Sequence, residues 1–151
     1  MSIAPLGRQE VTFDVIGLPR PQGSKKAFMA GGKARMKEAS DGHATWRNQV
    51  AEAARSIAAA VRVPAPLDGP LTLGIEFRFP MPASRSKRVR DYGWAAKTTA
   101  PDLSKLVRCV EDGLQAGGLI VDDARITEYQ AVHKIETTGW TGAVITIGYT
   151  P

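Results

Sequence analysis

The sequence predicts an α+β domain, a two-layer fold in which helices pack on one face of a mixed sheet. Three observations predict it. Apolar and polar residues alternate in "VTFDVIG" (11–17), "LTLGIEFRF" (71–79) and "AVITIGY" (143–149), the period-2 pattern of half-buried strands. Apolar residues recur at spacings of three and four from about 41 to 61 and from about 102 to 115, the period of amphipathic helices. The segments run strand, helix, strand, helix, strand, strand, an order that suits a layer of helices laid on a sheet. With 151 residues the chain is long enough for one real core and short for two, so 1–151 is read as a single domain.

Each element follows from its residues. Val11, Phe13 and Val15 share a face of the first strand, which ends at "LPRPQGS", where Pro19 and Pro21 cannot donate to a ladder. "KKAFMAGGKARMKE" reads as a basic hairpin or flexible loop around Gly31 and Gly32. Trp46, Val50, Ala53, Ala54, Ile57 and Val61 form the stripe of the first helix, and Pro64 stops it by disfavouring helical geometry in the residue before it. Leu71, Leu73, Ile75, Phe77 and Phe79 line one face of the next strand, ended by Pro80 and Pro82. Residues 83–100 read as a long basic link, either mobile or ordered by a ligand, whose only bulky apolar candidates are Tyr92 and Trp94. In the second helix Leu103, Leu106, Val107, Val110 and Leu114 fall on one side, and Ser104, Lys105, Arg108, Glu111 and Asp112 on the other. "GGLIVDD" is a turn into a short extended segment, "RITEYQAVHKIE" a strand, and "TTGWTG" a turn that should pair the last two strands as an antiparallel hairpin.

Composition narrows the function. A net charge of +5 and a pI near 9.6 favour polyanionic partners such as nucleic acid. Lys25, Lys26, Lys33, Arg35 and Lys37 form one basic cluster, and Arg85, Lys87, Arg88 and Arg90 another. Contact with phosphates is the expectation for both, and solvated surface loops are the plain alternative. No apolar run approaches the roughly 18 residues of a membrane span, and "MSIAPLGRQE" lacks the pattern of a secretory signal. A single cysteine, Cys109, excludes an internal disulfide and any cysteine-built zinc site, so the expected compartment is the cytoplasm. His43 and His133 read as structural, and Trp94 either stacks on an unpaired base or covers the core.

The carboxylates carry the chemistry. Asp102 starts the second helix, where capping alone accounts for it. Asp122 and Asp123 are harder to dismiss as an exposed turn, because adjacent carboxylates repel unless they are solvated or neutralised by a cation. The reversal at Gly117 and Gly118 is expected to bring them back near the helix start. Carboxylates converging there suit Mg²⁺ or Mn²⁺, hard cations that prefer oxygen ligands. A metal beside basic loops suits phosphodiester hydrolysis, with Lys105 or Arg108 offsetting charge in the transition state.

"PDLSKLVRCVEDGLQAGGLIVDDARI" (101–126) resembles the signature of the RusA family of Holliday-junction resolvases: Asp-Leu-Asp-Asn/Lys-Leu, a Lys or Arg three residues on, an Asp-Ala/Gly-Leu step and a final Asp-Asp. "IGLPRPQGSKKAF" is similar to the Pro-rich end of the family's first strand, particularly in phage-borne members, "HATWRNQVAEAA" to its first helix, and "RITEYQAVHKI" to the strand after the Asp-Asp. The resemblance implies a homodimeric, Mg²⁺-dependent endonuclease, with Mn²⁺ as a substitute, that nicks branched DNA at four-way junctions. By position it implies metal-binding Asp102 and Asp123 with Asp122 beside them, a basic catalytic residue at Arg108, and Lys105 at the Asn/Lys position. The second motif aspartate falls on Ser104, which removes one formal negative charge from the metal site. Three accounts are open: a working site with a reduced acidic set assisted by Glu111 or Asp112, a junction-binding protein that has lost cleavage, or a serine introduced to capture an inactive form.

Overall fold

The computed structural model describes residues 7–22, 25–30, 33–38 and 42–151. The strands are β1 (Gln9–Ile16), β2 (Lys25–Ala30), β3 (Lys33–Glu38), β4 (Leu71–Pro80), β5 (Trp94–Ala96), β6 (Ile126–Thr137) and β7 (Gly142–Tyr149), and the helices α1 (His43–Ala60), α2 (Lys87–Tyr92) and α3 (Leu103–Ala116). Five strands make one mixed sheet in the order β1-β7-β4-β6-β5, while β2 and β3 pair as a separate antiparallel hairpin.

The core lies between one face of that sheet and the helices α1 and α3. Leu71, Leu73, Ile75, Phe77 and Phe79 of β4, all at most 5% exposed, meet Trp46, Val50 and Ala54 of α1 and Leu106, Val110 and Leu114 of α3. Each large aliphatic or aromatic side chain buried this way contributes about 1.5–3 kcal/mol, the force that holds both helices to the sheet. The helices also touch each other closely. A Cβ at position 113 would lie 2.7 Å from Val50 Cγ1 and 3.0 Å from the Arg47 carbonyl, so Gly113 sets how near α3 can come to α1.

Two expectations need correction. The last two strands are not a hairpin: β4 lies between them, parallel to β6 and antiparallel to β7. β4 has the most continuous buried apolar face and gains most from a neighbour on each side, whereas much of β6 is half exposed. The intervening turn is pinned across the end of β4 by Arg78, whose Nε donates to the Trp140 carbonyl at 3.1 Å and whose guanidinium lies 4.4 Å from the Trp140 ring centroid. The link 83–100 is likewise structured. Ser86 Oγ accepts from Val89 N–H to cap α2, and β5 adds a three-residue antiparallel edge to β6. Trp94, 47% exposed and 5.7 Å from the Tyr92 ring, does not cover the core.

One irregularity in β6 positions the site. Tyr129 stands opposite Leu73 and Val132 opposite Ile75, so Gln130 and Ala131 together oppose Gly74 alone. Ala131 adopts φ 56°, in the left-handed region. Regular alternation would send residues 129 and 132 to opposite faces; the extra residue turns both toward the helices. A Cβ on residue 74 would sit 2.6 Å from the Gln130 carbonyl oxygen, so this crossing requires glycine. Among the described residues no helix is long and apolar enough to cross a membrane.

Candidate active site

With Leu106, Val110 and Leu114 turned into the core, α3 leaves a second stripe of Leu103, Ser104, Val107, Arg108 and Glu111 beside them. This stripe and the bulge-turned Tyr129 and Val132 line an open depression of about 620 Å³. Glu111, read from the sequence as part of the polar face, is only 7% exposed, and its Oε2 accepts a 2.7 Å hydrogen bond from the Tyr129 hydroxyl. Burial pushes its pKa up; the Tyr129 bond opposes that, and the charges of Asp123 and Asp112 add to it. Tyr129 is pushed up in turn, to about 12, by burial and by Glu111.

The chain leaves α3 through Gly117 and Gly118, buries Leu119 and Ile120, and reaches Asp122 in extended geometry. Asp122 Oδ1 accepts from Ala124 N–H at 2.8 Å and starts a single 3₁₀ turn, Asp123–Arg125. The carboxyls of Asp122 and Asp123 act on each other. Asp123 is raised, first by Asp122 and then by burial and the charge of Asp112, with Arg108 opposing the rise. Asp122 is lowered, first by the Ala124 amide and then by Asp123. Asp123 is therefore easier to protonate than an ordinary aspartate.

The pair comes to rest beside the second half of α3, where its electrostatic neighbours are Arg108, Glu111 and Asp112. Asp102 lies nine residues before Glu111, about 13 Å along the helix axis. Its exposed carboxylate occupies the N-cap position without making a cap hydrogen bond, so capping does not employ it. The helix start is braced instead by Lys134, whose Nζ donates to the carbonyls of Thr99 (2.8 Å) and Pro101 (2.7 Å). Among the described residues no three Asp, Glu, His or Cys side chains converge as a ready metal cage.

Ser104 lines the depression, and Lys105 and Arg108 are exposed on α3. A residue that sequence reasoning passed over ties them to the arm after β1. Gln22 N–H donates to the Lys105 carbonyl (3.0 Å), its Oε1 accepts from Arg108 Nε (2.8 Å), and its Nε2 donates to Asp112 Oδ2 (3.1 Å). Tyr129 was also passed over, because a strand pattern of period 2 carries no sign of the bulge that aims it.

The basic clusters divide. Lys25 and Lys26 stand in β2, Lys33 and Arg35 in β3, while Gly31 and Gly32 fall outside the described residues. In the link, Arg85 pairs with the 1% exposed Glu136 at 2.6 Å, Lys87 with Asp91 at 2.7 Å, and Arg90 donates to the Pro82 carbonyl at 2.8 Å. Arg88 makes no ion pair or hydrogen bond among the described residues. His133 pairs with Glu76 at 3.0 Å. Cys109 is fully buried, and burial pushes its thiol up to about 12, which makes it an inert core residue.

The family model described as Endodeoxyribonuclease RusA matches residues 17–148, a span that includes α3, the Asp122–Asp123 pair, Gln22 and Tyr129. The chain belongs to the RusA family. Its relatives are endodeoxyribonucleases acting on branched DNA, and the depression beside α3 lies inside the matched span. A search of curated proteins returned no match.

Proposed function

We propose that residues 1–151 act as one RusA-like unit, a structure-selective endonuclease that resolves four-way DNA junctions by paired, metal-dependent phosphodiester hydrolysis. The observation that carries this reading is the packing of the Asp122–Asp123 turn against α3, the helix that carries Arg108, in a chain of the RusA family. Adjacent carboxylates mark where a cation would relieve repulsion, and the donors they offer are all oxygen. Mg²⁺ is commonly held by only one or two carboxylates together with waters and substrate phosphates, so an incomplete protein cage suits it. Asp122 and Asp123 would hold Mg²⁺ or Mn²⁺, and Asp102, the third carboxylate that the family motif names, would act at a distance through bound water or substrate phosphate. When bound, the cation supplies an ionised water near neutral pH and offsets charge on the phosphate.

Arg108 places a permanent positive charge where phosphoryl oxygens gain negative charge. Unlike a lysine it does not readily give up a proton, so its role is electrostatic. Lys105, one turn earlier, adds to the same field. Lys25, Lys26, Lys33 and Arg35 of the hairpin and Arg88 of α2 steer the DNA backbone, while Arg85, Lys87 and Arg90 also serve internal bonds. Two symmetric nicks call for a homodimer, and the role falls in DNA recombination, repair or phage DNA debranching in the bacterial cytoplasm.

Ser104 in the wall of the depression favours a second reading, a junction-binding protein without cleavage. Cutting of a labelled four-way junction in Mg²⁺ and in Mn²⁺, by this chain, Ser104→Asp and Asp123→Asn, separates the two. The nuclease reading expects cutting by this chain, faster cutting by Ser104→Asp, and loss in Asp123→Asn. Binding without cutting, restored only by Ser104→Asp, establishes the second reading. Equal affinity for junction and linear duplex rejects both.

A further inference from the structure

The three bonds of Gln22 do more than fasten a loop. We propose that Gln22 is a positioning residue for the phosphate-facing guanidinium of Arg108; the inference rests on the nuclease reading above.

The side-chain amide stands between a group that can only donate and one that can only accept. Arg108 Nε donates to Oε1 at 2.8 Å, and Asp112 Oδ2 accepts from Nε2 at 3.1 Å. Turning the amide over would set an NH₂ against the guanidinium and an oxygen against the carboxylate, so the two partners fix its orientation. Neither Glu nor Leu at this position supplies both halves. The backbone holds the amide at the right height: Gln22 N–H donates to the carbonyl of Lys105, three residues before Arg108 on α3. Arg108 is otherwise an exposed side chain on a helix surface, free to explore many rotamers. Fastening Nε leaves the two terminal nitrogens of the guanidinium to meet a phosphate in a fixed plane.

The test compares Gln22→Ala, Gln22→Glu and the swap Gln22→Glu with Asp112→Asn, which keeps the net charge, keeps an acceptor for Arg108 Nε and rebuilds the bond to residue 112 with donor and acceptor exchanged. Three readouts are taken for each: single-turnover junction cutting in Mg²⁺, junction affinity in Ca²⁺, and the Arg108 Nε–H resonance in the metal-free protein. Gln22→Ala is expected to cut about 10- to 100-fold more slowly, the scale of a small misplacement at a reacting centre. Its junction affinity should stay within about 2-fold of the parent, and its Arg108 Nε–H signal should lose protection from solvent exchange. The swap should recover most of the rate and the signal. Cutting by Gln22→Ala at the parent rate overturns the proposal, as does a parallel loss of affinity and rate, or a swap no better than Gln22→Glu. If this chain does not cut, the series is repeated on Ser104→Asp. If that also fails, the nuclease reading falls on its own, and an Arg108 signal unchanged in Gln22→Ala then overturns the placement as well.

Discussion

Glu111 shows what one buried carboxylate does to the stability of this chain. Because its pKa is raised in the folded state, chiefly by burial, the stability it contributes is full below its unfolded value and is lost as pH rises through the folded one. Glu111→Gln keeps an acceptor for the Tyr129 hydroxyl and removes the charge. In metal-free buffer it should raise Tm near neutral pH, by about 2–4 °C for each kcal/mol recovered, and leave Tm unchanged at a pH where the parent carboxyl is already protonated. Melting curves across that range check it, and a Tm difference that does not vary with pH would rule out the buried charge as its source. At this scale the sequence was informative about identity and less so about surroundings. Asp102, Ser104, Arg108, Asp122 and Asp123 were picked out by the motif, and a single chain of carboxylates and cations is easy to see in letters. That Glu111 is buried, that Asp102 makes no cap bond, and that Gln22 bridges α3 all depend on neighbours distant in sequence.

At the scale of elements, the bulge in β6 and the close crossing at Gly74 are one device. Gly74→Ala forces a methyl to within 2.6 Å of the Gln130 carbonyl oxygen, so either the bulge shifts or β4 does. Overpacking of this kind costs about 1–3 kcal/mol, read as a lower denaturation midpoint, and Tyr129 should lose its bond to Glu111 as the strand re-registers. A midpoint equal to that of the parent would show that the crossing is slack. In the link, the cations also separate into two kinds. Arg85→Ala strands the carboxylate of Glu136, 1% exposed, and should lower Tm, whereas Arg88→Ala should leave Tm alone. Long periodic segments were legible: both main helices and the strands at 71 and 143 fall within a residue or two of their expected bounds. The short elements α2 and β5 were not, because six and three residues carry too little periodicity to stand out from a loop.

Over the whole molecule, the charge asymmetry predicts how DNA is held. Junction affinity should fall linearly on a log–log plot against salt, by about 0.9 in slope for each phosphate neutralised, and Arg88→Ala should flatten the slope by about one. A slope that Arg88→Ala leaves unchanged would remove this residue from the interface. The layer architecture was readable from the alternation of segments, but strand order was not. Two strands joined by a short turn usually pair, and the expected hairpin of β6 and β7 followed that tendency. What defeats it is the apolar face of β4, which draws a neighbour to each side and wedges the two strands apart. The same order has a consequence for synthesis. Among the described residues β1 pairs with β7 alone, with Gln9 beside Tyr149 and Ile16 beside Gly142, so β1 waits for β7. On the ribosome, β1 emerges with its ladder groups open while residues 17–141 are translated. The sheet cannot close until β7 has been made, and a nascent chain stalled before β7 leaves the tunnel should still be cut readily by protease at β1.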